Sequence, residues 1–171
     1  MTDSVARKHW SRWLWLSVAV IALDQLTKYL MLSAFRPGEQ LPITSFFSLV
    51  LAFNTGAAFS FLAGEDGWQR WFFMIIAFVA CGFMLWLLRR GGTNVFCAAI
   101  ALIIGGALGN VYDRVAIGHV VDFLLFHYNG WQYPAFNVAD SAITVGAVML
   151  ILESFRQRRT EPAAADTARD T

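Results

Sequence analysis

Charge is scarce in this chain. Asp, Glu, Lys and Arg make up 15% of its 171 residues, against ~25% in an ordinary soluble domain. Thirteen basic and twelve acidic residues leave a net charge of +1, so no field of one sign points to nucleic acid or to an acidic partner. Cysteine is nearly absent, and the two present, Cys81 and Cys97, stand inside apolar runs rather than in a disulfide or zinc spacing. No internal repeat is visible, which argues against a transporter built from inverted halves. What the chain does have is apolar surface: 57% of its residues and a mean hydropathy of +0.52. That excludes disorder over most of the length and leaves a small multi-span membrane protein.

Four stretches meet the roughly 20-residue requirement for crossing a bilayer: about 13–35, 68–88, 95–111 and 137–152. They define a membrane domain over 13–155, between a flank at 1–12 and a tail at 156–171 that is expected to be disordered. Lys and Arg gather at the N-terminal flank (Arg7, Lys8, Arg12), in the second link (Arg89, Arg90) and after the last span (Arg156, Arg158, Arg159), while 115–135 has none. Cytoplasmic flanks retain positive charge, so both termini are expected inside, with loops 36–67 and 115–136 outside. The first span is not expected to be a removable leader, because Asp24 stands where a small-residue cleavage site is needed.

The outer loops carry their own pattern. Residues 46–53 are aromatic and aliphatic and short, which predicts a strand ended by Asn54-Thr55-Gly56. Residues 57–62 are too short to span and are expected to lie in the interface. Stretches 120–128 and 131–136 flank Asn129-Gly130, a strong hairpin signal. A two-residue turn then sets Tyr128 opposite Trp131, Phe126 opposite Tyr133 and Asp122 opposite Asn137, and Pro134 weakens the ladder. Asn137 is also a good N-cap for the last span, which puts Asp140 in its first turn. The arithmetic brings Asp122 and Asp140 together at the outer membrane surface.

Two adjacent carboxylates cannot both ionise cheaply, so one proton is shared. Such a pair suits peptide hydrolysis. The ionised partner, expected to be Asp140 at its helix N-terminus, draws a proton from water. The protonated one hydrogen-bonds the scissile carbonyl and then donates to the leaving nitrogen. Asp24 and Lys28 lie four apart on one helical face and are expected to pair. Gly106, Gly109, Asn110, Asp113 and Arg114 form one stripe on the third span, and Gly105 with Gly109 permits close helix approach. Asn110, Asp113 and Arg114 are expected to brace neighbouring backbone and carboxylates. No metal is expected, since His119 and His127 lack further ligands in spacing. The competing classes are a small proton-coupled transporter, whose carboxylates belong near the midplane, and a non-catalytic binding protein.

Five blocks carry a family resemblance: Asp24-Gln25-Leu26-Thr27-Lys28; Asn54-Thr55-Gly56-Ala57-Ala58-Phe59; the run from Gly105-Gly106 through Gly109-Asn110 to Asp113-Arg114; Val120-Val121-Asp122-Phe123; and Phe136-Asn137-Val138-Ala139-Asp140-Ser141-Ala142-Ile143. In that order, over 13–155, the chain resembles the bacterial lipoprotein signal peptidases (signal peptidase II). The resemblance implies a four-helix inner-membrane aspartic peptidase with a periplasmic β-platform and a short interfacial segment. Asp122 and Asp140 would be catalytic. Asp24, Lys28, Asn54, Gly56, Ala57, Gly106, Gly109, Asn110, Asp113, Arg114, Asn137 and Ala139 would bind substrate or support the pair. It further implies a diacylglyceryl-modified prolipoprotein as substrate, cut before the lipidated cysteine and recruited through the phospholipid bilayer. Globomycin-type cyclic peptides would inhibit a monomer that needs no cofactor. Gly56, Gly64 and Gly67 would flank a lid over the bound peptide.

Overall fold

The computed structural model describes residues 7–55 and 68–160. A 3-10 turn, Arg7–Trp13, leads into α1 (Leu14–Ala34); α2 (Trp68–Arg90), α3 (Asn94–Ala116) and α4 (Val138–Thr160) follow. All four are long and apolar enough to cross a membrane. They match the four expected spans, with α3 and α4 running on to Ala116 and Thr160. Gly56, Ala57, the interfacial stretch 57–62, the glycines offered as lid flanks and the tail from 161 lie outside the described residues.

The first helix buries the stripe that its sequence spacing provides. On α1 the buried residues are Ser17, Val20, Asp24, Lys28 and Met31, three or four apart and therefore on one face. Around that stripe Trp15, Val18, Leu23, Leu26, Tyr29 and Leu30 are exposed, as suits a surface whose solvent is lipid. α3 is the central helix, packed against α1, α2 and α4. Its small residues make this proximity feasible. A Cβ on Gly105 would lie 2.8 Å from the Ser17 carbonyl oxygen, and one on Gly106 would collide with the carbonyl oxygen of Ala139 and lie 2.8 Å from Ile143. Gly146 on α4 performs the same service against Ala99.

We expect Gly106→Ala to destabilise the protein by ~1–3 kcal/mol, the range for overpacking a close contact. Gly82→Ala, on a lipid-facing turn of α2 with nothing within 4 Å of the added carbon, should gain ~0.5–1 kcal/mol through helix propensity alone. Thermal unfolding of the detergent-solubilised variants checks both signs. Equal melting temperatures would remove the close approach from the explanation of the fold.

At one end of the bundle sits a four-stranded antiparallel sheet in the order β1 (Gln40–Pro42), β2 (Phe47–Asn54), β3 (Val120–Tyr128), β4 (Trp131–Gln132). It rests on the helices through Leu51, Val121 and Phe123, which pack with Met31 of α1. Asn129 and Gly130 both have positive φ, the turn that two-residue hairpins need. Tyr128 pairs with Trp131, and Tyr133 N–H donates to the Phe126 carbonyl, as the hairpin count requires. Beyond that the count fails. Pro134 cannot continue the ladder, β4 ends at Gln132, and the next bridge joins Leu124 to Phe136, one residue out of the expected register. A bulge between Leu49 and Ala52 shifts β2 against β3 as well. At the opposite end of the bundle the basic residues gather: Arg12 donates to the Asn94 side chain, and Arg89 lies over the Trp10 ring.

Candidate active site

The site grows from the N-terminus of α4. Asn137 caps that helix, its Oδ1 accepting the Asp140 N–H at 2.9 Å, while Asp140 Oδ2 accepts the Asn137 N–H at 3.3 Å. This reciprocal exchange is a capping box in its Asn/Asp form. It holds the Asp140 carboxylate over the first turn, where the helix dipole favours an anion.

Asn137 then reaches the other carboxylate. Its Nδ2 lies 2.8 Å from Asp122 Oδ1, 3.2 Å from the Val121 carbonyl oxygen and 3.1 Å from Asn110 Oδ1. One wholly buried residue therefore holds both acids. The second oxygen of each carboxylate has its own donor: Asn54 Nδ2 to Asp122 Oδ2 at 3.0 Å, and Asn110 Nδ2 to Asp140 Oδ1 at 2.8 Å. Asn54 meets Asp122 because their strand positions are diagonal: Ala52 pairs with Asp122 and Asn54 with Val120, so side chains two apart share a face.

Asp122 is 2% exposed, Asp140 half-buried. Burial, and next the charge of Asp140, push the Asp122 carboxyl up to about 7, against the opposing pull of the Asn54 and Asn137 hydrogen bonds. With a pKa of about 7, the Asp122 carboxyl holds its proton below neutral pH.

Behind the pair lies a buried ionic cluster. Lys28 Nζ is 2.7 Å from Asp24 Oδ2, 2.7 Å from Asp113 Oδ2 and 3.0 Å from Asn110 Oδ1. The expected Asp24–Lys28 pair is present, and it extends to α3. Asp24 Oδ1 accepts the Ala139 N–H at 2.9 Å, and Asp113 Oδ2 accepts the Val121 N–H at 3.2 Å. The residue immediately before each aspartate of the pair is therefore held by a carboxylate of this cluster. Gln25 completes it, donating to Asp113 Oδ1 at 2.8 Å and lying 3.3 Å from the Gly109 carbonyl oxygen.

Of the residues singled out in the sequence, Asp24, Lys28, Asn54, Gly106, Gly109, Asn110, Asp113, Asn137 and Ala139 meet around Asp122 and Asp140. Arg114 reaches the pair from α3: Nη1 donates to the Asn110 carbonyl at 3.3 Å, Cζ lies 5.4 Å from the centre of the Phe73 ring, and the charges of Asp140 and Asp122 act on its guanidinium. Gln25 was missed, although it stands beside Asp24 in the first block. His119 packs at a tilt against the Phe53 ring, and His127 shares a hydrogen bond with Ser48. Among the described residues no three His, Cys, Asp or Glu side chains gather as metal ligands.

Two cavities meet the pair. One of about 230 Å³ is lined by Ala52, Phe53, Asn54, Thr55, Asp122, Pro134 and Ala135. The other, about 320 Å³, is lined by Tyr133, Phe136, Asp140, Ser141, Thr144 and Val145. The segment 133–136 contributes to both.

Residues 16–156 match the family model described as Signal peptidase (SPase) II. The chain is 59% identical over 148 residues to the lipoprotein signal peptidase of Ralstonia nicotianae, covering 86% of each chain. It is 52% identical to that of Pseudomonas syringae pv. tomato, over 90% of this chain and 91% of the relative. Two solved bacterial membrane enzyme structures share the fold. One has a TM-score of 0.78 and 29% identity, covering 90% of this chain and 93% of that one. The other has a TM-score of 0.75 and 31% identity over 84% and 92%.

Proposed function

The chain belongs to the signal peptidase II family, multi-pass membrane aspartic peptidases that remove signal peptides from prolipoproteins, and we propose that Asp122 and Asp140 are the pair that cuts. The observation that carries this assignment is Asn137, whose side chain bonds one carboxylate while its backbone bonds the other. Membership in a peptidase family displaces the transporter.

In the proposed reaction the Asp140 carboxylate takes a proton from water as the water oxygen bonds to the scissile carbonyl carbon. The protonated Asp122 hydrogen-bonds the oxyanion that forms. When the intermediate collapses, the carbonyl is restored, the C–N bond breaks and Asp122 gives its proton to the leaving nitrogen. Asp140 then returns its proton to Asp122. Asn54 and Asn110 orient the acids, and the Lys28 cluster positions the backbone before each of them. Arg114, Gly56 and Ala57 border the substrate path, as the family resemblance implies.

The substrate is a prolipoprotein whose cysteine already carries a diacylglyceryl group, and cleavage falls just before that cysteine. Its acyl chains keep it in the bilayer at ~0.8 kcal/mol per buried methylene, so recruitment is lateral diffusion. The sheet and the carboxylate pair lie at the end of the bundle away from Arg12, Arg89 and Arg90, which by the positive-inside tendency supports a periplasmic site, cytoplasmic termini and residence in the inner membrane. A monomer inhibited by globomycin-type cyclic peptides completes the proposal. The test is purified protein with a synthetic peptide bearing diacylglyceryl cysteine and its unlipidated twin. Cleavage before the cysteine of the first alone, persisting in chelator, is expected; loss in chelator or equal cutting of both overturns it.

The protonation of Asp122 has a kinetic signature. Its pKa of about 7 means that the acid form is present below that value and is lost above it. kcat/KM should therefore fall on the alkaline side, approaching about tenfold per pH unit. A profile flat from pH ~6 to ~9 would mean that a protonated Asp122 is not required for cleavage.

A further inference from the structure

The groove along α4 lies outside any role given above, and it opens directly on Asp140. Its floor is Ser141, Thr144 and Val145, one helical turn running from the carboxylate toward the middle of the membrane, and Tyr133 and Phe136 form its aromatic wall. Ser141 spends its hydroxyl proton on the Asn137 carbonyl oxygen, so the lining beyond Asp140 is largely apolar. Val145 is 52% exposed and lies on the lipid-facing side of α4.

We infer that this groove receives the diacylglyceryl group of the substrate cysteine, while the cavity beside Asp122 receives the peptide segment before the cut. The inference rests on the assignment of Asp122 and Asp140 as the cleaving pair. A lipidated cysteine follows the scissile bond immediately, so its thioether and glyceryl must leave the reacting carbonyl within one residue. The groove begins at Asp140 and opens to lipid, which matches that constraint. The other cavity is walled by the end of β2, with Asn54 and Thr55, and by Pro134 and Ala135, a surface with the extended backbone and polar groups that an extended peptide takes. A signal-peptide helix is ~10–12 Å across with its side chains and would lie against the α4 face rather than enter a space of about 320 Å³, whereas unbranched acyl chains are slim enough to enter.

The test places a diazirine on the acyl chain next to the glyceryl ester of a synthetic lipopeptide. Asp122→Asn protein in lipid nanodiscs is irradiated with it, and the adducts are mapped by mass spectrometry. Adducts on Tyr133 and on 141–145 are expected, with a diazirine on the residue before the cut labelling 52–55 instead. In the active protein, Val145→Trp should lower kcat/KM for the diacyl substrate about tenfold more than for its monoacyl counterpart, because a misplaced reacting centre is costly. Acyl-chain adducts on 52–55 or on α2, signal-peptide adducts in the groove, or an equal loss on both substrates overturn the inference. Failure of the wild-type protein to cut the same lipopeptide strikes the assignment of the pair instead, and is read separately.

Discussion

Asp122→Asn and Asp140→Asn are each expected to lower kcat/KM on a diacylglyceryl-cysteine peptide by roughly four orders of magnitude, the scale of losing a positioned acid or base in a coupled pair. Both substitutions keep the volume of the side chain and most of its hydrogen bonds. An amide at position 122 still accepts from Asn54 or Asn137 through its one carbonyl oxygen, so the fold is retained and the loss is chemical. The two effects do not add, because either acid alone lacks the partner that makes the proton transfer productive. Rate assays on the single and double variants, with melting temperatures beside them, check this. A double variant that is a further thousandfold slower than either single one, or a single variant that keeps a tenth of the activity, removes the pair from the mechanism.

Lys28→Met is the second large effect, and it falls on stability. Lys28 is 2% exposed and lies between two carboxylates, Asp24 at 0% and Asp113 at 3% exposed. Removing the cation leaves two buried acids facing each other, at a cost of ~3–5 kcal/mol. The same acids hold the N–H groups of Ala139 and Val121, so a protein that still folds should also lose activity. Neutralising all three at once, with Asp24→Asn and Asp113→Asn added, should recover much of the stability, since a complete buried ionic group gains little net energy over a neutral one. Thermal unfolding separates the two variants. A triple variant no more stable than Lys28→Met shows that the cluster is held by packing rather than by charge.

Sequence periodicity located most of this architecture for a physical reason: lipid-exposed helices are long, apolar and easy to delimit. All four were legible, as were the strand ending at Asn54, the Asn129-Gly130 turn and the Asp24–Lys28 spacing. β1 was not, because three residues ending in Pro42 carry no readable alternation and pair only because β2 is already there. The register after Tyr133 was misjudged because a proline breaks the ladder, and nothing in residue types says whether the chain slips by one or by none. Gln25 was missed because a glutamine beside a buried acid becomes informative only when α3 brings Asp113 to within 2.8 Å of its amide.

By itself the sequence determined the number of spans, the side on which positive charge gathers and the capping of α4 by Asn137, and it singled out the two acids proposed to cut, all from local pattern. The tertiary structure decided how those acids are held. Asn137 reaches Asp122 despite the slipped register, because its amide spans the distance that the backbone pairing does not. The Asp122 carboxyl is pushed up to about 7 because burial and the charge of Asp140 act on it together. Burial and charge proximity are sums over neighbours from α1, β2 and the start of α4, and no window of sequence contains them.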